Sequence, residues 1–238
     1  MNIVLIGYGK MGKEIEQVAL ERGHEVVLRI DLNNPGDLNT DSAAKADVAI
    51  EFTSPGSVVE NLYKCFDLGL PVVTGTTGWH ERLGEVREKC LDGGNSLLYA
   101  SNFSLGVNLF FALNEQFARM MESFPEYEVS MKEVHHTRKL DAPSGTAVTL
   151  AELLIKELSR KSQWSLGEKA DSKSIGIEAI REGDVTGIHQ VKYESDIDFI
   201  ELSHHAKNRK GFATGAVMAA EFLPGKKGIF SMRDLLGI

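Results

Sequence analysis

The first hundred residues alternate short apolar runs with stretches in which apolar residues recur every three or four positions. Apolar runs of about four to eight residues bounded by Gly, Pro or Ser indicate buried strands, and the periodic stretches between them predict amphipathic helices. The predicted strands are Asn2–Ile6, Glu25–Ile30, Asp47–Phe52, Leu70–Thr74 and Leu97–Tyr99, and one of the helices is Ser57–Leu68. This alternation predicts an α/β fold with a Rossmann-like, doubly wound parallel sheet.

The second half of the chain has a different pattern. Tyr127–Val134 alternates apolar and polar residues with period two, which predicts a strand with one buried face. The other predicted elements are helices at Leu105–Met121, Ser144–Leu158 and Phe212–Phe222, strands at Ser174–Arg181, Ile188–Tyr193 and Asp198–Ser203, and a mobile loop at Ser159–Ser174. We therefore predict an α+β domain over residues 104–212, next to a first domain over 1–103 to which the C-terminal segment 213–238 returns.

The turn after the first predicted strand carries three glycines, in the order Gly7-Tyr8-Gly9-Lys10-Met11-Gly12. Gly7 permits a tight turn, Gly9 lets the backbone approach a pyrophosphate, and Gly12 lets helix and strand pack closely. Asp31 lies 19 residues after Gly12, where an acid commonly accepts the ribose hydroxyls of a dinucleotide. A plain structural turn is the alternative, but the flanking strand, helix and acid favour dinucleotide binding.

Two more turns fall where predicted strands end. Gly75-Thr76-Thr77-Gly78 follows one strand, and Ala100-Ser101-Asn102-Phe103 follows the next. Because the carboxyl ends of parallel strands form the ligand crevice of an open sheet, we expect both turns to lie close to a bound ring and its ribose. The alternative is that both are ordinary turns.

The composition limits the classes of partner. The chain has 238 residues, 42% of them hydrophobic, and a formal net charge of -8, which is ordinary for one large or two small globular domains. This acidic balance argues against nucleic acid as the main partner, because phosphate binding needs a basic face. No apolar run is long enough to span a membrane, and no signal segment is recognisable, so we expect a reducing, cytoplasmic setting.

No metal site is predicted. Cys65 and Cys90 show neither CxxC nor zinc-ligand spacing. His204 and His205 are adjacent on a predicted strand, so their side chains point to opposite faces, and no further ligands stand at metal spacing.

Against the acidic background, the segment Glu133–Thr146 is densely cationic. It holds His135, His136, Arg138 and Lys139 just before a predicted helix start. Histidine exchanges protons near neutral pH, and a lysine crowded by other cations can act as an acid. The free amides of the helix and the Thr146 hydroxyl can hold a carboxylate. We predict an anion site with its own acids; the alternatives are a solvated turn and, for Ser144, a helix cap alone.

Taken together, these motifs resemble the 4-hydroxy-tetrahydrodipicolinate reductase family, also called dihydrodipicolinate reductase, over nearly the whole chain. The most specific segment is Glu133–Ala147, which resembles the family signature E-x-H-H-x-x-K-x-D-A-P-S-G-T-A. The other similar segments are Gly7–Gly12, Gly75–Gly78, Asn102–Ser104, Arg181–His189 and His205–Ala216.

The resemblance implies reduction of 4-hydroxy-tetrahydrodipicolinate to tetrahydrodipicolinate by NADH or NADPH, in lysine and diaminopimelate biosynthesis. It implies that His135 donates or accepts a proton and Lys139 is the general acid, while His136, Gly145 and Thr146 bind the dicarboxylate substrate. The implied cofactor site consists of Gly7, Tyr8, Gly9, Lys10, Met11, Gly12, Asp31, Gly75, Thr76, Thr77, Ala100, Ser101, Asn102 and Phe103. The first domain is then the dinucleotide-binding domain, and the second binds substrate and assembles a homotetramer through its sheet.

One departure from the family bears on the cofactor. Leu32 follows Asp31, where many relatives have an arginine that could meet the 2′-phosphate of NADP. Because Asp31 favours a free ribose, we expect a slight preference for NADH. Asn33 or Lys10 leaves NADPH open as an alternative.

Two other functions remain open at this point. A regulatory protein that senses nicotinamide cofactors would also need the glycine loop, because a fold alone does not prove catalysis. A dehydrogenase of another small acid, such as aspartate, would explain the glycine loop but not the whole cationic signature. The combination of His135, His136 and Lys139 favours the reductase over both.

Overall fold

The computed structural model describes residues 1–167, 170–208 and 210–238. These residues form two compact units, Met1–Leu105 with Lys210–Ile238, and Gly106–Arg209. The strands are β1 (Asn2–Ile6), β2 (Glu25–Ile30), β3 (Val48–Glu51), β4 (Val72–Thr74), β5 (Ser96–Tyr99), β6 (Glu128–His135), β7 (Gln163–Leu166), β8 (Ser174–Arg181), β9 (Gly187–Glu194), β10 (Phe199–Ala206) and β11 (Gly228–Phe230). The helices are α1 (Lys10–Glu21), α2 (Thr40–Ala43), α3 (Val58–Asp67), α4 (Leu83–Asp92), α5 (Leu105–Met121), α6 (Gly145–Glu157), α7 (Lys210–Phe222) and α8 (Met232–Leu236).

The first unit is built on a parallel sheet with the strand order β11-β5-β4-β3-β1-β2. Its strands are apolar on both faces, because helices cover both. Along β1, Ile3 and Leu5 pack into one core and Val4 and Ile6 into another. The chain passes from β2 across β1 to β3, so the topological switch point lies between β1 and β3. The doubly wound sheet predicted from the sequence is confirmed.

The second unit contains a mixed sheet with the order β10-β9-β6-β8-β7, in which β9 runs antiparallel to both of its neighbours. One face packs on α5 and α6 through apolar side chains such as Leu150, Ile177 and Tyr193. The opposite face is polar and carries ion pairs such as Lys132–Glu178. This alternation of buried and open faces is why the period-two pattern could be read from the sequence.

Most predicted bounds lie within two residues of those in the structure. β1, β2, β8 and α5 begin and end at the predicted residues. The loop predicted over 159–174 is wrong in part, because Gln163–Leu166 forms β7. This strand lies at the edge of the sheet and is half exposed, and its Gln-Trp-Ser-Leu alternation of four residues was too short to stand out from the polar residues around it. Glu168 and Lys169 of that loop lie outside the described residues. None of the described helices combines the length and apolar character of a membrane span.

Candidate active site

The predicted cofactor turns meet at one edge of the parallel sheet. The Phe52 amide donates to the Ile6 carbonyl at 2.8 Å, and the Gly75 amide donates to the Glu51 carbonyl at 3.1 Å. The Ala100 amide similarly reaches the Thr74 carbonyl at 3.3 Å. The residues that follow β1, β3, β4 and β5 are therefore neighbours along the crevice beside the switch point, as the alternating pattern predicts.

The three glycines of the first turn occupy different environments. Gly7 has a φ of 96°, and a Cβ there would lie 2.0 Å from the Phe52 carbonyl oxygen. A Cβ on Gly12 would lie 2.2 Å from the Gly7 carbonyl oxygen, whereas a Cβ on Gly9 would meet nothing within 4 Å. Gly9 is also the N-cap of α1, where no side chain caps the helix amides. The open backbone and uncapped helix start fit a pyrophosphate.

At the end of β2, local hydrogen bonds fix Asp31. Its Oδ1 accepts from the Asn33 amide at 2.7 Å, and its own amide donates to Asn34 Oδ1 at 2.8 Å. Arg29, two residues earlier, is ion-paired with Glu16. Leu32, which stands where many relatives have an arginine, is 96% exposed. The carboxylate of Asp31 is thus presented to solvent beside a residue that cannot bind phosphate.

The turns after β3 and β4 are joined by polar contacts. Thr76 Oγ1 accepts from the Thr53 amide at 2.8 Å. Gly75 is required by close packing, because a Cβ there would lie 2.2 Å from the Phe52 ring. Glu51 is fully buried and accepts hydrogen bonds from the hydroxyls of Thr53 and Thr74.

The remaining predicted cofactor residues have different exposures. Thr77 and Ser101 are exposed, and Asn102 Oδ1 accepts from the Ser104 amide at 2.9 Å. Phe103 is 2% exposed and packs against Phe52 with ring centroids 5.7 Å apart. The side chain of Phe103 therefore belongs to the core.

In the second unit, the cationic loop starts where β6 ends, at His135. The Glu182 amide donates to the His135 carbonyl at 2.8 Å, and the Thr137 amide donates to the Gly183 carbonyl at 3.1 Å. The segments Glu133–Thr146 and Arg181–His189, which are far apart in sequence, therefore lie side by side. The Nδ1 atom of His136 is buried without a hydrogen-bond partner.

Two of the loop cations are paired with carboxylates. Lys139 Nζ lies 2.9 Å from Asp141 Oδ2, and Arg138 Nη2 lies 2.7 Å from Asp184 Oδ1. The hydrogen bond from Lys139 lowers the pKa of the Asp141 carboxyl, although partial burial opposes the shift. The positive charge expected of this loop is thus partly neutralised within it.

The helix start beside the loop is well defined. Ser144 Oγ accepts from the Ala147 amide at 3.2 Å, so Ser144 is the N-cap of α6. The first amides of α6 belong to Gly145 and Thr146. A carboxylate bound at this end would also interact favourably with the helix dipole.

Glu133, to which the sequence analysis assigned no role, lies at the centre of this region. Its side chain is fully buried, and Oε1 accepts from the Ser144 amide and from Arg181 Nη2, both at 3.0 Å. Oε2 lies 3.3 Å from His135 Nδ1 and 3.8 Å from His189 Nε2. Burial raises the pKa of Glu133, but the interactions with His135, Ser144 and Arg181 outweigh it and bring the pKa to about 2.

His189 is also buried, and its environment differs from that of a solvated histidine. Burial, together with the nearby His135, lowers the pKa of His189 to about 4 despite the Glu133 carboxylate. Ligand atoms of Glu133, His135 and His189 lie within 4.8 Å of one another, a spacing that a metal ion could bridge. The absence of a metal site stays a prediction.

The fold and the two sets of residues define a class: an oxidoreductase that uses a nicotinamide dinucleotide. Residues 1–103 match the N-terminal part of dihydrodipicolinate reductase, and residues 106–236 match its C-terminal part. The chain belongs to the dihydrodipicolinate reductase family, whose members are also named 4-hydroxy-tetrahydrodipicolinate reductase. The family and the fold inferred from the sequence motifs are thereby confirmed.

Individual relatives cover the whole chain. The 4-hydroxy-tetrahydrodipicolinate reductase of Christiangramia forsetii is 48% identical over 238 residues, covering 99% of this chain and 98% of that protein. The enzyme of the same name from Chromobacterium violaceum is 34% identical, and the match covers 100% of this chain and 98% of that protein. The dipicolinate-bound dihydrodipicolinate reductase from Paenisporosarcina sp. TG-14 has a TM-score of 0.78 at 25% identity, with 97% of each chain covered.

Proposed function

We propose that this chain reduces 4-hydroxy-tetrahydrodipicolinate to tetrahydrodipicolinate, in lysine and diaminopimelate biosynthesis. The observation that carries the proposal is the loop between β6 and α6, which brings two histidines and Lys139 next to a capped helix start. The Paenisporosarcina relative supports it, because that protein was solved with dipicolinate, a cyclic dicarboxylate. No comparable observation favours the sensor or another acid dehydrogenase.

The reaction needs a proton in addition to a hydride, because the hydroxyl group of the substrate leaves as water. We assign proton transfer to His135 and Lys139. Lys139 is the general acid, and its pairing with Asp141 at 2.9 Å keeps the side chain oriented while leaving it 22% exposed. General acid catalysis by one such group typically contributes about 10²–10⁴-fold to a rate.

Substrate binding is assigned to His136 and the start of α6. The amides of Gly145 and Thr146 stand at the positive end of a helix dipole, which favours a carboxylate. The buried, unpartnered Nδ1 of His136 offers a further polar contact. Arg138 is held by Asp184, so it contributes to the local field and not to direct contact.

Cofactor binding is assigned to the crevice beside the switch point in the first unit. The residues are Gly7, Tyr8, Gly9, Lys10, Met11, Gly12, Asp31, Gly75, Thr76, Thr77, Ala100, Ser101, Asn102 and Phe103. NADH or NADPH bound there supplies the hydride. The fixed carboxylate of Asp31 and the exposed Leu32 support a slight preference for NADH, because a carboxylate accepts ribose hydroxyls but repels a 2′-phosphate.

The proposal extends to the domains and the assembly. Residues 1–103 with 213–238 form the dinucleotide-binding domain, and 104–212 form the domain for substrate binding and oligomerisation. The open face of the mixed sheet assembles a homotetramer. A cytoplasmic location agrees with the free, buried thiols of Cys65 and Cys90, and fractionation of the source cells would check it.

The test of the residue assignment is Lys139→Ala, with Lys173→Ala as the matched control. Lys173 is exposed and lies outside the loop. We expect Lys139→Ala to lower kcat by about 10²–10⁴-fold while its Kd for NADH, measured by fluorescence titration, stays within about twofold. Lys173→Ala should match the wild type. Unchanged turnover in Lys139→Ala would remove Lys139 from the mechanism.

A further inference from the structure

Glu133 and His135 stand two residues apart on β6, so their side chains share one face of the sheet. The Oε2 atom of Glu133 lies 3.3 Å from Nδ1 of His135, and both atoms are buried without an aligned hydrogen bond to any other group. Each is therefore the nearest available partner of the other. A carboxylate placed beside one ring nitrogen of histidine controls which nitrogen carries the proton.

Contacts to the other carboxylate oxygen of Glu133, Oε1, keep the group ionised and fix its orientation. Oε1 accepts from Arg181 Nη2 and from the Ser144 amide. Arg181 also donates to the carbonyls of Asp141 at 2.5 Å and Ile180 at 2.8 Å, so the guanidinium is itself fixed. The strand register supports this arrangement, because His135 lies opposite Arg181 across the β6–β8 pair. Glu133 therefore keeps its negative charge and its orientation.

His189 lies opposite Glu133 across the β6–β9 pair, but its ring nitrogen has a nearer partner than the Glu133 carboxylate. Its Nε2 lies 3.2 Å from Ser144 Oγ and 3.8 Å from Glu133 Oε2, so Ser144 is the nearer partner. Its ring meets that of His135 edge to face, with centroids 5.1 Å apart. His189 thus packs the His135 ring without competing for the carboxylate.

The other nitrogen of His135 lies where the chain leaves space. A Cβ on Gly187 would lie 3.1 Å from His135 Nε2, so glycine at this position keeps that side of the ring clear. The His135 side chain is 10% exposed and its Nδ1 is fully buried, so the exposed part belongs to the rest of the ring.

We propose that Glu133 is a positioning residue that holds the proton of neutral His135 on Nδ1 and leaves Nε2 to exchange protons with the substrate. The inference rests on the proposed role of His135. Nε2 takes a proton from the substrate, the resulting imidazolium is stabilised by Glu133, and Nε2 then returns that proton to the substrate, while Lys139 supplies the one proton that leaves with the hydroxyl group as water. The Asp–His pair of serine proteases works on the same principle, by fixing the tautomer and orientation of the ring.

The same three groups have a spacing that a metal could bridge, but the charges favour the positioning role. One oxygen of Glu133 already pairs with the Arg181 guanidinium, whose positive charge would repel a cation at the other. Turnover that is insensitive to EDTA and is not raised by added Zn²⁺ is therefore expected.

The experiment is ¹⁵N NMR of the full-length chain labelled at histidine, with the His135 signals assigned by their loss in His135→Gln. We expect neutral His135 to carry its proton on Nδ1 in the wild type and on Nε2 in Glu133→Gln. In Glu133→Gln, kcat should fall by about 10²–10⁴-fold with KM changed less than about threefold, as for an orienting carboxylate. Glu133→Asp, which keeps the charge, should restore the Nδ1 proton and part of the turnover. Glu88→Gln, at an exposed residue of α4 in the first unit, is the control.

Three results would overturn the inference. The first is a wild-type His135 protonated on Nε2, which can be read even if Glu133→Gln fails to fold. The second is a variant that loses turnover while His135 keeps its Nδ1 proton, since Glu133 would then act only on structure. The third is full turnover in Glu133→Gln. Failure of the proposed function is distinguishable, because the wild type would then show no substrate-dependent oxidation of NADH, whatever the tautomer of His135.

Discussion

At the scale of single residues, the glycine loop after β1 shows how one residue type serves different physical ends. Gly12 is surrounded by backbone, and Gly9 by open space. The packing role of Gly12 and the ligand-approach role of Gly9 were predictable from the sequence, because the loop lies between a strand and a helix at fixed spacing. An added methyl group should therefore lower stability where the glycine is needed for packing, and weaken cofactor binding where the glycine is needed for the approach of the ligand.

The pair Gly9→Ala and Gly12→Ala tests that difference. In Gly12→Ala the Cβ would lie 2.2 Å from the Gly7 carbonyl oxygen, so we expect a loss of about 1–3 kcal/mol of stability and roughly 2–10 °C in Tm. Gly9→Ala should keep its Tm within about 2 °C but raise the Kd for NADH about tenfold, because the methyl group fills space that the pyrophosphate needs. Calorimetry and fluorescence titration measure the two effects. Equal NADH affinity in Gly9→Ala and wild type would show that the cofactor does not approach Gly9.

Other residues of the site could not be found in this way. Glu133, Arg181 and His189 carry no local signal, because their partners come from different strands. Their positions within motifs marked the segments as important, but not the contacts they make. Lys139 was predicted from the cation density, yet its ion pair with Asp141 depends on a loop conformation that the sequence does not specify.

At the scale of secondary-structure elements, the register of the mixed sheet brings together the buried carboxylate of Glu133 and the three basic side chains around it. β6 lies between β8 and β9, so Glu133 faces His189 on one side and His135 faces Arg181 on the other. β10 extends three residues beyond its predicted end and β7 was missed, but the positions of β6, β8 and β9 were predictable to within a residue from their sequence patterns. Their order in the sheet was not, because pairing between distant strands is a property of the whole fold.

Burial of His189 in this sheet predicts a specific dependence of stability on pH. Its pKa is about 4 in the folded chain, below the ordinary value of 6.5. Above that ordinary value His189 is neutral in both states, and below it the unfolded chain binds a proton that the folded chain does not. Folding is therefore weakened as the pH falls from 6.5 toward 4, by up to about 2 kcal/mol between pH 7.5 and pH 5.

Urea unfolding at these two pH values checks this, with His189→Asn and the exposed His80→Asn as a pair. The wild type and His80→Asn should lose stability on acidification by about 2 kcal/mol more than His189→Asn does. Glu133 does not disturb the comparison, because its own contribution is lost only below about pH 4.5. Equal losses in all three proteins would mean that His189 titrates as a solvated histidine.

At the scale of the whole molecule, the open face of the mixed sheet has a composition suited to an interface with charged and aromatic contacts. Phe199 on β10 is 59% exposed, and the Lys192 ammonium lies 4.8 Å from its ring centroid. Ile197, just before β10, is 92% exposed. Aromatic side chains such as that of Phe199 are enriched at the surfaces where subunits meet.

We expect analytical ultracentrifugation to give a mass four times that of the 26.2 kDa chain. Phe199→Asp should shift the mass toward smaller species, because it would place a charge in the proposed interface. Leu91→Asp, at a residue 56% exposed on α4, should leave the mass unchanged. A monomeric wild-type chain would contradict assembly through this sheet.

The loss of NADH absorbance tests most directly whether the chain catalyses this reduction. The purified chain would be supplied with substrate made freshly from pyruvate and aspartate semialdehyde by the preceding synthase. We predict substrate-dependent oxidation of NADH, somewhat slower oxidation of NADPH, and no reduction of NAD with aspartate. Absence of oxidation with either cofactor, although both bind, would contradict the reductase account and favour a cofactor sensor or another substrate.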